Sequence, residues 1–250
     1  MPNILVTNDD GISAAGLRAL AGALAEIGTV TIVAPSQERS AAAQSLTLRH
    51  PIFCEQIAER EWSVDGTPAD AMILAFHALL AHKPDLVISG INRGSNLGEN
   101  VYYSGTVGAA MEGAINGVAS IALSLTTKAQ NADFSAAAGF AKKLATLVLK
   151  EGLPRGVLLN VNVPVEWKGG IRFTRQSPKI TRNVLQENKD PRGRKYYWLS
   201  EQRLTEDIAA DTDHAAILAG EISVTPLVID HTDSASLNHL SHWKKLLEQE

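Results

Sequence analysis

The sequence has little of several features that mark particular classes of protein. Its single cysteine, Cys54, excludes an internal disulfide framework and fits a reducing compartment. Aromatic residues make up only 5% of the chain, and the net charge of -4 lacks the basic excess that binds nucleic acid or an anionic membrane. The longest apolar runs, such as 119–125, are far too short to span a bilayer, and the first nine residues lack a positively charged export signal. These absences predict a cytoplasmic protein that binds neither nucleic acid nor membrane.

An alternation of strand and helix patterns fills the first two thirds of the chain. The all-apolar run Ile4-Leu5-Val6 is typical of a strand that is covered on both faces of a parallel sheet. The segment GTPADA predicts a helix start, because Thr67 can cap the helix, Pro68 suits its first position and Asp70 can bond back to the cap. We therefore predict an α/β fold with a mainly parallel sheet and helices on both faces. The expected strands are 3–6, 30–34, 85–89, 120–125 and 157–163, and the expected helices are 14–27, 67 to Pro84, 106–118 and 133–151.

The sequence after Pro164 favours extended structure. IRFTRQSPKITRN and KDPRGRKYYWLS predict paired strands around a Pro-Arg-Gly turn, EISVTPLVI predicts one more strand, and 234–250 a C-terminal helix. We divide the chain into a core of residues 1–165 and a β-rich extension of residues 166–250, which returns a strand to the core near 221–229.

Polar residues and glycines follow each predicted core strand. In a parallel sheet these strand ends share one edge, where ligands bind. Asp9 and Asp10 follow the first strand, and two like charges side by side repel unless a cation or a shared proton offsets them. A turn at Gly11 would let both carboxylates converge, and oxygen ligands of this kind suit Mg²⁺ or Mn²⁺. The other strand ends supply Glu38, Ser40, Asn92, Arg93 and Asn96.

The segment SGTVGAAMEG predicts a helix that begins beside this edge. Ser104 is a good N-cap, and the small residues Gly105 and Thr106 open the helix. The free backbone N–H groups of such a helix start attract an anion, and phosphate is the usual ligand. An oxygen-ligated cation next to a phosphate cradle suggests phosphoryl chemistry.

Several ordered motifs together give the sequence a family resemblance. TNDDG, APSQERSAAAQSLT, GTPADA, SGINRGSNLGENVYYSGTVGAAMEG and FTRQSP, which run from residue 3 to about 178, resemble the SurE family of stationary-phase survival proteins. The resemblance implies a Rossmann-like core in which residues 1–165 are catalytic. It also implies a divalent-metal-dependent phosphomonoesterase that hydrolyses nucleoside monophosphates to nucleoside and phosphate, by attack of a metal-activated water.

The resemblance also implies roles for individual residues. Asp9, Asp10, Ser40 and Asn92 would ligate Mg²⁺ or Mn²⁺, with Asp9 or Asp10 as a base or as the group that forms an aspartyl phosphate. Asn8, Ser104, Gly105 and Thr106 would hold phosphate, and Asn96 would face the substrate. The hairpin and the C-terminal helix would pair subunits into homodimers or homotetramers. One departure lies beside Ser40, where three alanines, Ala41-Ala42-Ala43, replace a stretch that commonly contains glycine.

Simpler interpretations of these residues stay open at this stage. Asp9 and Asp10 could cap the following helix, Ser40 could be an ordinary loop residue, and Asn92 could occupy a turn. Asp70 is better explained as a helix-start residue than as a catalytic acid. Two other functions compete with the nucleotidase, a metal-dependent Rossmann-like transferase and a non-enzymatic nucleotide-binding signalling module.

Overall fold

The computed structural model describes residues 1–178, 181–203 and 208–248, and its main feature is one nine-stranded sheet. The strands are β1 (Asn3–Thr7), β2 (Thr29–Pro35), β3 (Cys54–Ala58), β4 (Glu61–Val64), β5 (Leu86–Arg93), β6 (Ala119–Leu125), β7 (Val157–Val163), β8 (Ile171–Phe173) and β11 (Ile222–Val228). Their order is β3-β4-β2-β1-β5-β6-β7-β11-β8, and pairing is parallel from β4 to β7. β3 and β11 run antiparallel to β4 and β7. The predicted α/β fold with a mainly parallel sheet is confirmed.

Helices cover both faces of this sheet. α1 (Ala15–Leu24), α2 (Pro68–Leu74), α3 (Gly105–Ile115), α4 (Ser135–Glu151) and α5 (Asp213–Leu218) contact its strands, and α6 (Ser234–Leu240) and α7 (Trp243–Leu247) follow the last strand in the chain. α1 packs with α4, and α2 packs with α3. Successive residues of β1 alternate between the two faces, since Ile4 and Val6 belong to the α1–α4 core whereas Leu5 belongs to the α2 core. None of the helices in the described ranges is both long and apolar enough to cross a membrane.

Local sequence rules account for the start of α2. Thr67 Oγ1 accepts a hydrogen bond from the Asp70 N–H at 3.1 Å, and Asp70 Oδ2 accepts one from the Thr67 N–H at 2.8 Å. This capping box confirms Asp70 as a helix-start residue. The helix ends earlier than predicted, because a π-helical turn at Ala75–Leu79 is followed by extended backbone at Leu80. Pro84 disfavours the helical conformation at Lys83, the residue before it, and the chain leaves the helix ahead of that point, at Leu80.

The C-terminal region contains the predicted hairpin and one helix that the sequence did not reveal. β9 (Thr181–Lys189) pairs antiparallel with β10 (Lys195–Arg203), and β11 returns to the main sheet beside β7. α5 was missed, because its six residues are too few to show a helical period. The single helix expected over 234–250 is wrong: the described part forms α6 and α7, separated at Ser241 and His242, and residues 249–250 lie outside the described residues.

Candidate active site

The acidic pair lies where β1 ends, in the middle of the parallel part of the sheet. β1 has β2 on one side and β5 on the other, so the chain connections to these two neighbours run to opposite sides of β1. Such a switch point is where parallel α/β sheets bind ligands. Gly11 turns the chain there with a φ of +98°, and a Cβ on it would lie 3.0 Å from the backbone carbon of Gln37. Asn8 supports the same turn, because its Nδ2 donates to the Gly11 carbonyl at 2.9 Å. The turn therefore needs both glycine and this asparagine.

Burial dominates the electrostatics of the two carboxylates. Asp9 is only 7% exposed, and burial raises its pKa from 3.8 to about 6, with a further upward contribution from Asp10. The hydroxyl and backbone N–H of Thr106 oppose this rise in pKa, and Thr106 Oγ1 lies 2.5 Å from Asp9 Oδ1. Burial also raises the pKa of Asp10, although the Arg93 N–H donates to its Oδ2 at 3.2 Å and lowers it. Both groups would be stabilised in their ionised form by a bound cation.

The loop after β2 brings Ser40 to the same edge. The Ser40 side chain is exposed, and its Oγ donates to Glu38 Oε1 at 2.5 Å. The backbone folds tightly there, with Ala41 at a φ of 56° and Ala43 at a φ of 50°. Ala43 donates its N–H to the carbonyl of Tyr103 at 3.1 Å, which ties the Ser40 loop to the segment before α3.

The end of β5 delivers Asn92, and the loop after it delivers Asn96. Asn92 is half-buried, and its Nδ2 donates to the Gly94 carbonyl at 2.8 Å, which leaves Oδ1 as the atom suited to a cation. Asn96 is held by the asparagines of β7: its N–H donates to Asn162 Oδ1 at 2.8 Å, and its carbonyl accepts from Asn160 Nδ2 at 2.8 Å. Its own Nδ2 donates to Ser124 Oγ at 2.9 Å. These hydrogen bonds fix both the backbone and the side chain of Asn96.

The start of α3 faces Asp9. Ser104 caps the helix, as predicted, by accepting a hydrogen bond from the Val107 N–H at 3.1 Å. A Cβ on Gly105 would lie 2.8 Å from the Cβ of Asp9, so only glycine permits this close approach. Because Thr106 also donates to Asp9, the anion that the helix start contacts in this structure is the Asp9 carboxylate.

These elements enclose one cavity of about 270 Å³. It is lined by Asp9, Asp10, Glu38, Ser40, Ala41, Asn92, Arg93, Gly94, Ser95, Asn96, Asn100, Tyr103 and Ser104. The structure therefore brings together six of the residues singled out from the sequence: Asp9, Asp10, Ser40, Asn92, Asn96 and Ser104. Asn8, Gly105 and Thr106 are buried and do not line the cavity.

Sequence reasoning missed several contributors to this site. Asn100 and Tyr103 line the cavity, and only their position between Asn96 and Ser104 could have indicated them. Asn160 and Asn162 support Asn96 from within β7. Two asparagines at alternate positions of an otherwise apolar strand, VLLNVNV, were a usable signal, because side chains two residues apart share one face of the sheet.

The donor set fits a hard divalent cation. The side chains of Asp9, Asp10, Ser40 and Asn92 all line the same cavity, and all four offer oxygen. Burial raises the pKa values of Asp9 and Asp10, and a bound cation would favour their ionised forms. Among the residues that the structure describes, no group of three or more His, Cys, Asp and Glu side chains is placed to hold a metal ion, here or elsewhere.

The fold and this edge of the sheet define an α/β protein with an acidic, oxygen-lined ligand site at the switch point of a parallel sheet. A sequence model of the family described as "Survival protein SurE" matches residues 4–183. The chain belongs to the SurE family.

Relatives of known name resemble the chain over almost its full length. It is 49% identical over 245 residues to "5'-nucleotidase SurE" of Geobacter sulfurreducens, which covers 96% of this chain and 93% of the relative. It is 46% identical over 244 residues to "5'-nucleotidase SurE" of Geotalea daltonii, covering 96% and 98%. The crystal structure of the SurE protein from Aquifex aeolicus matches with a TM-score of 0.86 and 39% identity, covering 99% of this chain and 100% of that one.

Proposed function

We propose that this protein is a divalent-metal-dependent 5'-nucleotidase that hydrolyses nucleoside monophosphates to nucleoside and phosphate. The observation that carries the proposal is the buried Asp9, next to Asp10, on the wall of a cavity that Ser40, Asn92, Asn96 and Ser104 complete. The nucleotidases named above share this chain's sequence over nearly its whole length. Nothing comparable supports the transferase or the non-enzymatic signalling module, and neither is retained.

The metal ligands in this proposal are Asp9, Asp10, Ser40 and Asn92. The ligand atoms would be the carboxylate oxygens of Asp9 and Asp10, the hydroxyl oxygen of Ser40 and Oδ1 of Asn92. The Ser40 hydroxyl donates its hydrogen to Glu38, and the Asn92 side chain contacts Gly94 through Nδ2, so both oxygens remain available. A bound Mg²⁺ or Mn²⁺ would polarise a P–O bond and lower the pKa of a nearby water. Asp9 and Asp10 bind a cation in their ionised form, so metal affinity should increase as pH rises through the pKa of Asp9.

The remaining residues divide between contact with the phosphate and support of the site. Asn96 and Ser104 line the cavity and are placed to bind phosphoryl oxygens. Thr106 holds Asp9 in position, whereas Asn8 and Gly105 permit the tight packing of the β1 turn and the α3 start. We prefer in-line attack by water, with Asp9 or Asp10 accepting its proton. Attack by one of these carboxylates is the alternative, and a phosphorylated enzyme trapped by acid quench would establish it.

A phosphate-release assay tests the proposed function. AMP, GMP and p-nitrophenyl phosphate are each incubated with the protein, with Mg²⁺ or Mn²⁺ and with excess chelator. We expect release that the chelator abolishes, and loss of release in Asp9→Asn while the fold is kept. Release that persists in chelator, or an Asp9→Asn variant with full turnover, would overturn the metal assignment.

We also propose that the protein forms a homodimer or homotetramer in the cytoplasm, through the β9–β10 hairpin and the C-terminal helices. These elements expose large apolar side chains to solvent, namely Leu185, Tyr196, Tyr197, Trp198, Leu199, Leu237, Leu240, Trp243, Leu246 and Leu247. Patches of this composition are typical of interfaces. Light scattering of the purified chain tests this: we expect a mass of two or four chains, and a monomer at micromolar concentration would contradict it.

A further inference from the structure

Gly98 lies in the segment that forms one wall of the cavity. It opens a 3₁₀ helix, Gly98–Tyr102, between Asn96 and Ser104, both of which line the cavity. Its φ of +52° lies in the left-handed region that glycine tolerates best. Any shift of this residue would move the short helix and the wall residues that it carries.

Both backbone polar groups of Gly98 are bound by side chains from the C-terminal part of the chain. The Gly98 N–H donates to Asp213 Oδ2 at 3.0 Å. The Gly98 carbonyl accepts from Gln176 Nε2 at 2.7 Å. A single peptide position is thus fixed by two residues that lie 78 and 115 positions further along the chain.

Asp213 is a fully buried carboxylate whose second oxygen is also engaged. Its Oδ1 accepts from the Ser177 N–H at 3.0 Å, the Ser177 hydroxyl at 2.5 Å and the His214 N–H at 2.7 Å. A buried carboxylate is costly unless its oxygens are hydrogen-bonded, and these four donors meet that need. An amide could not replace it, because one of its two ends would turn an NH₂ group toward an N–H donor.

Glu99, the residue after Gly98, is also bound by a residue from the C-terminal part of the chain. Glu99 Oε1 accepts from both the N–H and the hydroxyl of Thr181, each at 2.7 Å. Thr181 is the first residue of β9, so the base of the hairpin contacts the same segment. The wall of the cavity is therefore connected to three separate positions after residue 175.

We propose that Asp213 and Gln176 are positioning residues, which hold Gly98 so that Asn96, Asn100 and Ser104 keep the spacing that phosphate binding requires. This inference rests on the proposed function, because it assigns the wall to the phosphate group of the substrate. Three of the four proposed metal ligands, Asp9, Asp10 and Ser40, lie on other segments, after β1 and β2, and the fourth, Asn92, lies within β5, ahead of the segment that Gly98 belongs to. Loss of either positioning contact should therefore weaken phosphate binding more than metal binding.

The experiment compares Asp213→Asn and Gln176→Ala with Asp211→Asn as a matched control. Asp211 is exposed and its carboxylate pairs with Arg175, so its change to an amide leaves Gly98 untouched. In Asp213→Asn the amide oxygen is best placed toward the three donors at Ser177 and His214, which turns the NH₂ group against the Gly98 N–H. We expect kcat/KM to fall about tenfold to a hundredfold in both test variants, as expected for a displaced site group.

Two further measurements separate positioning from general loss of stability. The inhibition constant of inorganic phosphate should rise about as much as kcat/KM falls, whereas the metal concentration for half-maximal activity should stay within about twofold of the control. Hydrogen exchange of residues 98–104, measured without metal or substrate, should quicken in both variants while exchange in α1 does not.

The proposal is overturned if hydrogen exchange of residues 98–104 is unchanged in the variants. It is also overturned if the inhibition constant of phosphate and the metal concentration for half-maximal activity rise equally, together with a lower unfolding temperature. Should Asp213→Asn fail to fold, Gln176→Ala decides alone, because it removes one contact to a carbonyl at a half-buried position. Should the wild-type chain release no phosphate, the proposed function fails, and the exchange measurement still tests the contact at Gly98.

Discussion

Thr106 donates its hydroxyl hydrogen to Asp9 Oδ1 at 2.5 Å, although the two residues are 97 positions apart in the chain. The contact joins the end of β1 to the first turn of α3, and Gly105 leaves space for it. A hydrogen bond to an ionised carboxylate favours the ionised form. The α3 start therefore opposes the rise that burial causes in the pKa of Asp9.

Removal of the Thr106 hydroxyl should make Asp9 harder to ionise. In Thr106→Val we expect a higher pKa of Asp9, so at a given pH a larger share of Asp9 is protonated and cannot ligate a cation. The metal concentration for half-maximal activity should then rise about tenfold at pH 6 and much less at pH 8. Thr106→Ser, which keeps the hydroxyl, is the matched control. Equal weakening at both pH values would show that the hydroxyl acts by packing alone.

The buried Asp9 carboxylate should reduce the stability of the metal-free protein at neutral pH. Because its pKa is about 6 in the folded chain and 3.8 ordinarily, the folded state holds a proton between these values that the unfolded state has lost. The free energy of unfolding therefore falls as pH rises from about 4 to 6 and stays lower above that, by at most about 3 kcal/mol.

Asp9→Asn should remove this penalty. With chelator present, we expect the variant to unfold at a higher temperature than the wild type at pH 8, and to differ little at pH 4. Addition of Mg²⁺ or Mn²⁺ should stabilise the wild type and not the variant. A variant that is less stable than the wild type at pH 8 without metal would show that Asp9 is compensated in the folded chain.

Contacts that depend on neighbours in sequence could be predicted, and contacts between distant segments could not. The capping box of Thr67 and Asp70 needs only a local pattern, and the structure contains it. The placement of Asp9 beside Ser40 and Asn92 followed from a topological rule, since parallel strands end at one edge. By contrast, nothing in the residues around Asp213 or Gln176 indicates that they bind Gly98.

The helix-start rule was also incomplete at α3. It correctly predicted Ser104 as the N-cap, and it predicted phosphate as the anion near the first turn. It could not distinguish the two anions, because a carboxylate from β1 and a phosphate satisfy the same N–H groups. The structure places the Asp9 carboxylate there, in contact with Thr106, and phosphate binding by Thr106 stays a prediction.

The alanines after Ser40 hold a strained backbone that glycine should relax. Ala41 and Ala43 have φ values of 56° and 50°, a region that costs a residue with a Cβ about 1–2 kcal/mol. Ala41→Gly and Ala43→Gly should remove that cost, and greater freedom of the unfolded chain offsets part of the gain. We expect each to leave stability unchanged or to raise it by up to about 1 kcal/mol.

Ala42→Gly is the control for this prediction, because Ala42 is not among the described residues with positive φ. Its replacement should cost about 0.5–1 kcal/mol, because only the entropy term remains. Denaturant unfolding of the three variants measures the difference. If all three lose the same stability, the loop conformation is not strained.

The close packing of Gly105 against Asp9 should make Gly105 intolerant of even one methyl group. A Cβ there would lie 2.8 Å from Asp9 Cβ and 2.9 Å from Asp9 Oδ2, so Gly105→Ala must displace Asp9. We expect activity to fall about a hundredfold, as for a misplacement of Asp9 by about 1 Å. Gly22→Ala is the matched control, because Gly22 lies within α1 with nothing within 4 Å of its added Cβ, and it should gain about 0.5–1 kcal/mol. Phosphate release and thermal unfolding of both variants provide the comparison, and a Gly105→Ala enzyme with near-normal turnover would show that Asp9 can move without loss of catalysis.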